Sequence, residues 1–228
     1  MTTDLEPLVE LLSSDRAPTS VTDPAEVRKV HIADSRSGIE PGGLRKAKQI
    51  ADIGSGAGLP GLVLAAELPD ARVDMVEATA RKCEFIAAAI DELGLINARA
   101  VCERAETLAA GEGREAYDAV TARAVGRLAT LAELASPLLV NGGHLVCWKG
   151  RRDPEEEAEM ERASERLAIE PVEITAVGPY AGSLHRHIHL LRKNGPTPEG
   201  LPRRPGIAKK RPFGAEPPQR KQGKSANQ

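Results

Sequence analysis

Aromatic side chains are almost absent from this chain of 228 residues. Phe, Trp and Tyr make up 2% of it, while apolar residues as a whole reach 41%. The core must therefore consist of Val, Leu, Ile and Ala, and these suffice for one α/β domain with short extensions. No apolar run approaches the roughly 18 residues that cross a bilayer, and the acidic N-terminus lacks a signal-peptide pattern. We expect a cytoplasmic protein with no membrane partner.

Cysteine is also scarce. Cys83, Cys102 and Cys147 are odd in number, widely spaced and form no C-x-x-C pair. This pattern argues against a disulfide framework and a zinc ribbon, and it is typical of a reducing cytosol. Because all three fall within helix-like or strand-like segments, we expect them to be core residues.

The charge is unevenly distributed along the chain. Residues 192–228 carry ten Lys and Arg against two Glu, a net +8, so residues 1–191 carry -10 of the overall -2. Residues 194–228 also hold seven Pro and five Gly. Such a segment has too little apolar surface to fold alone. We expect a basic tail that is extended or disordered and that is ordered in part by packing on the domain or by RNA.

Strand-like and helix-like segments alternate through the middle of the chain. Such alternation predicts a parallel sheet with crossover helices on both faces. The strand-like runs are residues 49–53, 72–77, 99–102, 117–121 and 143–148.

Two further strand-like runs, 172–177 and 187–191, end this pattern. The segment between them is too short for a helical crossover, so they must pair as an antiparallel hairpin. This ending favours a Rossmann-like class I methyltransferase sheet, because a dehydrogenase would add a second nucleotide-binding half. We divide the chain into a helical extension (1–45), a methyltransferase domain (46–193) and the tail (194–228).

A glycine-rich turn follows the first predicted strand. Gly54, Gly56 and Gly58 lie where the chain must turn into a helix while its backbone passes beneath a ligand. Gly61 completes the dinucleotide spacing G-x-G-x-x-G, and a tight turn without a ligand would use the same residues. The turn alone leaves the ligand open.

Three more residues bear on the cofactor. Glu77 ends the second strand, where a carboxylate can accept hydrogen bonds from both ribose hydroxyls of a nucleoside. Glu106 follows the third strand, within reach of an adenine amino group. Pro60 removes a backbone amide that a pyrophosphate would use. The balance favours S-adenosylmethionine over NAD.

Basic residues follow the fourth and fifth strands at the same edge of the sheet. Arg123 could contact the methionine carboxylate or an RNA phosphate, and Lys149 with Arg151 and Arg152 could contact phosphates. A solvated cation at the end of a strand is the alternative for each.

Three histidines alternate near the C-terminal end of the domain. His185, His187 and His189 would share one face of a strand. No carboxylate or cysteine lies at a suitable ligand spacing, so we expect no metal site.

Several motifs in order resemble the bacterial 16S rRNA guanine-N7 methyltransferases, also called the glucose-inhibited division protein B family. The resemblance covers roughly residues 19–214. The matching segments are 19–24, 31–35, 52–61, 117–125, 149–150, 197–198 and 202–206.

The resemblance implies a reaction and a set of contacts. The family transfers a methyl group from S-adenosylmethionine to N7 of the guanine at position 527 of 16S rRNA. We therefore expect a monomer acting on 16S rRNA, within the 30S subunit or an assembly intermediate. The implied cofactor contacts are Gly54, Leu59, Ala105, Glu106 and Arg123, and the implied substrate-positioning candidates are Arg123, Lys149, Arg186 and His187.

The chemistry agrees with what the sequence lacks. Guanine N7 has an in-plane lone pair and no proton, so it needs no general base, only alignment with the methyl group. Three alternatives stay open: a class I methyltransferase acting on a small molecule or protein, an NAD-dependent reductase, and a non-catalytic RNA-binding module. We expect deletion of residues 195–228 to weaken RNA binding and to spare cofactor affinity.

Overall fold

A computed structural model describes residues 4–123 and 126–215. One seven-stranded sheet runs through the domain in the order β3-β2-β1-β4-β5-β7-β6. Among the described residues, no helix is long and apolar enough to cross a bilayer. The strands are β1 (Gln49–Ile53), β2 (Arg72–Val76), β3 (Ala98–Val101), β4 (Tyr117–Arg123), β5 (Leu139–Lys149), β6 (Ile169–Val177) and β7 (Arg186–Lys193).

The first five strands pair in parallel, as the alternating pattern predicts. Helices cover both faces of the sheet, with the N-terminal helices, α4 and α5 sharing one apolar core and α6, α7 and α8 the other. These helices are α4 (Gly61–Glu67), α5 (Ala80–Glu92), α6 (Ala105–Ala110), α7 (Leu128–Ala135) and α8 (Pro154–Leu167).

The predicted antiparallel ending is confirmed. Strand β7 pairs antiparallel with β5 and also with β6. A parallel return would need a crossover helix, and the short connection between β6 and β7 cannot hold one. The carboxyl ends of β1 to β5 therefore form one edge, beside the start of β7.

Five short helical segments of the described chain precede the sheet: α1 (Glu6–Ser13), α2 (Pro24–Val27), a π-helix (Arg28–Ala33), α3 (Asp34–Arg36) and a 3₁₀-helix (Leu44–Lys46). The apolar stripe of α1 is buried in the domain core. Asp23 caps α2 by accepting a hydrogen bond from the Glu26 amide at 2.9 Å, as the Asp-Pro-x-Glu pattern predicts. The extension is thus packed on the domain, and it delivers its residues to the carboxyl edge of the sheet.

The expectation of three unpaired core cysteines is wrong. Cys83 and Cys102 form a disulfide, with their Cα atoms 5.7 Å apart. Cys102 directly follows β3 and is exposed. Among the described residues only Cys147, in β5, is a buried free thiol. Spacing along the chain did not reveal the pair because it depends on α5 passing beside the end of β3.

Residues 194–215, which we call the strap, pack back onto the domain. The residue before the strap is Lys193, the last residue of β7, and its side chain is fully buried. The Lys193 ammonium donates to Glu115 Oε1 at 2.9 Å, the Leu139 carbonyl at 2.7 Å and Thr197 Oγ1 at 2.7 Å. These three acceptors satisfy the buried cation and fix the start of the strap.

The rest of the strap is held by apolar and cation–π contacts. Leu201 is buried, as is Ala208 in the short helix α9 (Ile207–Lys210). The ring of Phe213 lies between the guanidinium groups of Arg166 and Arg203, 4.3 and 4.1 Å from its centroid. The remainder of the predicted tail, residues 216–228, lies outside the described residues.

Candidate cofactor and substrate site

The glycine turn between β1 and α4 leaves one face of its backbone open. Gly54 and Gly56 have φ values of +66° and +61°, which residues with side chains rarely adopt. A Cβ atom at Gly56 would find nothing nearer than the Gly54 carbonyl oxygen at 3.9 Å. A Cβ at Gly58 would instead lie 2.5 Å from Leu62 Cδ1, so packing against α4 requires that glycine. Leu59 is buried in the core.

Glu77 directly follows β2 and faces this turn. Its Oε2 accepts a hydrogen bond from the Gly56 amide at 3.1 Å, and its Oε1 accepts one from the Thr79 amide at 2.8 Å. Each carboxylate oxygen keeps a lone pair for a further donor. A carboxylate beside an open backbone face fits the ribose of a nucleoside cofactor.

Asp52 supports the turn from beneath. This side chain is fully buried in β1 and accepts hydrogen bonds from the Gly61 amide at 3.1 Å and from Thr121 Oγ1 at 2.9 Å. Burial raises the pKa of Asp52 to about 6, and these hydrogen bonds oppose that rise. Asp52 thereby ties the start of α4 to β1 and β4.

The adenine side predicted at Ala105 and Glu106 is occupied in part by the strap. Both residues are buried in the first turn of α6. Glu106 Oε1 accepts a hydrogen bond from the Gly206 amide at 2.8 Å. The strap therefore reaches the end of the sheet to which the sequence assigns the adenine.

A cavity of about 420 Å³ lies between the N-terminal segments and the ends of β4, β5 and β7. It brings together three of the predicted substrate-positioning residues: Arg123, Lys149 and Arg186. Its walls also include apolar side chains that could contact a planar base. The lining residues are Val21, Val30, His31, Asp34, Arg123, Trp148, Lys149, Gly150 and Arg186.

Asp34 organises the two arginines of this cavity. Its Oδ2 lies 3.2 Å from Arg123 Nη1, and its Oδ1 lies 3.6 Å from Arg186 Nε. Its backbone carbonyl accepts a hydrogen bond from Trp148 Nε1 at 2.8 Å. Burial lowers the pKa of Arg123, and the Asp34 carboxylate opposes that shift. Sequence reasoning included Asp34 only within a matching segment and gave it no role.

The π-helix adds a further acceptor for Arg123. Arg123 Nη1 donates to the Val30 carbonyl at 3.3 Å. The wider π-turn releases backbone groups from the helical ladder, which is why such turns are frequent at functional sites. The neighbouring His31 lies 3.0 Å, through Nε2, from Thr19 Oγ1. Burial and then Arg123 lower the pKa of His31, so its ring is neutral at pH 7.

Two other predicted residues are held by protein groups. The Lys149 ammonium donates to Glu156 Oε1 at 2.6 Å and to the Gly126 carbonyl at 3.0 Å. His187 Nδ1 lies 2.9 Å from the Gly150 carbonyl oxygen. Lys149 thus lines the cavity with its partners already in place, whereas His187 does not line it and contacts the lining residue Gly150.

The predicted row of three histidines is shorter in the structure. His187 and His189 share a face of β7, but His185 precedes the strand and has a φ of +59°. Within the described part of the chain, no group of three His, Cys, Asp or Glu could hold a metal ion.

The chain matches a family model described as GidB, rRNA small subunit methyltransferase G, over residues 5–188. A relative from Desulfitobacterium hafniense, named ribosomal RNA small subunit methyltransferase G, is 38% identical over 86% of this chain and 81% of its own length. A relative of the same name from Sorangium cellulosum is 42% identical over 82% of this chain and 76% of its own length.

Solved structures agree on the fold. A SAM-dependent methyltransferase from Aquifex aeolicus superposes with a TM-score of 0.55 at 16% sequence identity, over 83% of this chain and all of that chain. At this identity the likeness concerns the fold alone. It confirms the predicted class I α/β fold.

Proposed function

We propose that this chain, which belongs to the rRNA small subunit methyltransferase G family, methylates N7 of the guanine at position 527 of 16S rRNA. Members of this family are S-adenosylmethionine-dependent methyltransferases, and so is this chain. The choice of N7 and of position 527 rests on the motif resemblance, and the cavity at the ends of β4, β5 and β7 offers a place for the target base.

The residues at the carboxyl edge fit the cofactor. S-adenosylmethionine supplies an electrophilic methyl group when it is bound. Glu77 would hold the ribose hydroxyls, Gly54 and the open face at Gly56 would pass beneath the cofactor, and the start of α6 would border the adenine. Arg123, at the end of β4, would hold the methionine carboxylate.

The cavity beside Arg123 is the observation that carries the substrate assignment. Its apolar wall at Trp148 and Val30 can contact the face of a base, and Arg186 is accessible enough to bind a phosphate of the same nucleotide. Burial and Arg123 lower the pKa of His31, which favours its neutral ring. The reaction needs no general base, because N7 of guanine carries no proton to remove. Catalysis would then consist mainly of alignment in a site that excludes water.

We also propose where and on what the protein acts. The substrate would be 16S rRNA within a 30S subunit or an assembly intermediate, bound by a monomer in the cytoplasm. Lys209, Lys210 and Arg211 at the end of the strap are exposed, or nearly so, and together with the basic residues beyond 215 they would contact phosphates.

The test is methyl transfer from labelled S-adenosylmethionine to 30S subunits and to naked 16S rRNA that lack the modification. We expect label in the RNA and 7-methylguanosine as the labelled nucleoside after digestion. Label in another nucleoside would overturn the N7 assignment. Label only in protein or in a small molecule would overturn the RNA substrate.

A further inference from the structure

We propose that Cys83 and Cys102 form a reversible thiol-oxidation site whose state sets the affinity of the cofactor pocket. The disulfide joins two segments that border the cofactor from different sides. The inference rests on the cofactor site of the proposed function, but not on the identity of the methyl acceptor.

Cys83 belongs to the ribose side of the pocket. It lies in the first turns of α5, four residues after Thr79, and it is buried. The Thr79 amide donates to Glu77 Oε1, so the start of α5 is hydrogen-bonded to the carboxylate assigned to the ribose. A shift of α5 would therefore move a ribose ligand.

Cys102 belongs to the adenine side. It is the first residue after β3 and lies three residues before Ala105, where α6 begins. It is exposed, unlike Cys83. The loop 102–104 thus connects the disulfide directly to the segment assigned to the adenine.

The disulfide joins the start of α5 covalently to the loop 102–104. The strand ends are joined by backbone hydrogen bonds, since the Glu77 amide donates to the Val101 carbonyl at 3.1 Å. Among the described residues, however, no hydrogen bond or ion pair joins α5 to the loop 102–104. Reduction would leave the loop and the helix free to move relative to each other, while the fold around them stays intact.

The oxidation needs a peroxide as the two-electron oxidant. The exposed Cys102 thiol loses its proton to solvent, and the thiolate attacks a peroxide oxygen, which breaks the O–O bond and gives a sulfenic acid; the hydroxide released from hydrogen peroxide takes up a proton from solvent and becomes water. The Cys83 thiol then attacks the Cys102 sulfur, so the S–S bond forms and the S–O bond breaks, and the leaving hydroxide takes the Cys83 proton and departs as a second water. A dithiol reverses the reaction by exchange and is itself oxidised.

The third cysteine does not take part in this oxidation. Cys147 is fully buried in β5, and burial raises the pKa of its thiol to about 12. It is therefore a thiol at neutral pH, and the thiolate is the reactive form. It offers a matched control.

The disulfide should raise the affinity for the cofactor. With the bond closed, the ribose and adenine sides are held in place before binding, so less conformational freedom is lost when the cofactor binds. We expect the oxidised protein to bind S-adenosylmethionine about three- to tenfold more tightly than the reduced protein.

The experiment uses the full chain, treated either with hydrogen peroxide or with dithiothreitol and then freed of reagent. Maleimide labelling after unfolding in denaturant, read by mass spectrometry, counts the free thiols including the buried Cys147, and calorimetry on the folded protein gives the Kd of S-adenosylmethionine. We expect one free thiol and the tighter Kd after oxidation, and three free thiols and the weaker Kd after reduction. Cys147→Ala should keep this response, and the double variant Cys83→Ala/Cys102→Ala should lose it and bind like the reduced protein.

Equal Kd values in the two states, or no peptide linking residues 83 and 102 after oxidation, would overturn the proposal. The comparison of the two states of the wild-type chain decides the matter even if the double variant does not fold. Failure of the rRNA methylation assay would leave this result unaffected, because only cofactor binding is measured.

Discussion

Asp34 is the side chain on which two cations of the substrate cavity depend. It pairs with the buried Arg123 and faces Arg186, while its backbone holds Trp148. We predict that Asp34→Asn lowers the rate of methyl transfer at saturating RNA by about 10- to 100-fold, because misplaced groups lose the aligned geometry. Single-turnover rates and cofactor Kd would be measured together.

A matched control is available at the surface. Glu40 pairs with Arg45 where both side chains are exposed, so Glu40→Gln should leave the rate unchanged. A rate equal to wild type in Asp34→Asn would contradict the positioning role.

Asp52 makes the free energy of unfolding fall as pH rises, which is unusual for an aspartate. Its folded-state pKa is about 6, above its ordinary value of 3.8, because it is buried. The folded protein therefore holds this proton more tightly than the unfolded chain, and the contribution to stability falls as pH rises from about 4 to 6. Asp52→Asn lacks this titration, so its free energy of unfolding relative to wild type should rise across that window. Denaturation at several pH values checks this, and parallel curves would refute it.

The glycine turn and the turn after α5 each contain one glycine of a matched pair. Gly56 and Gly94 both have a φ of +61°, and a Cβ has space at each. Replacement by Ala should cost each turn about 1 kcal/mol in stability. Only Gly56→Ala places a methyl group on the face assigned to the cofactor, so we predict that it alone weakens S-adenosylmethionine binding, by about tenfold or more.

Melting temperatures of both variants report the cost of backbone strain. Calorimetric titration with S-adenosylmethionine reports whether the added methyl group blocks cofactor binding. Equal cofactor affinity in Gly56→Ala and Gly94→Ala would mean that the turn does not lie beneath the cofactor.

Sequence periodicity predicted the elements that local rules determine. The alternation of short apolar runs with helices, and the connection too short for a crossover, led to five parallel strands and an antiparallel hairpin, but not to the position of β7 between β5 and β6. Glu77 could be placed beside the glycine turn because the ends of adjacent parallel strands meet. No such rule links Asp34 to Arg123, Cys83 to Cys102 or Gly206 to Glu106, since these contacts join segments whose approach depends on tertiary packing.

For the whole molecule, the strap changes how a truncation should be designed. A chain ending at residue 193 would leave Glu115 without its strap partner Thr197 and would uncover the core beneath Leu201 and Ala208. We predict that it loses several kcal/mol of stability, about the cost of exposing two or three core side chains and their polar partners. Deletion of residues 195–228 would therefore report on folding as well as on RNA binding.

A chain ending at residue 215 avoids this complication. It should keep the melting temperature and the cofactor affinity of the full chain, because the strap stays in place. It should bind 16S rRNA more weakly and with a shallower dependence on salt, since residues 216–228 carry three Lys and Arg against one Glu and would supply phosphate contacts. RNA affinity and salt slope equal to those of the full chain would remove the role given to residues 216–228.

The central claim is that the cavity between Arg123 and Arg186 presents one guanine of 16S rRNA to the methyl donor. The most direct measurement is strand cleavage at 7-methylguanine after reaction, read by primer extension along 16S rRNA treated with wild type or Asp34→Asn. We predict a single wild-type stop at position 527, strongly reduced in the variant. A stop at another guanine, or methyl transfer to the RNA without any stop, would contradict it.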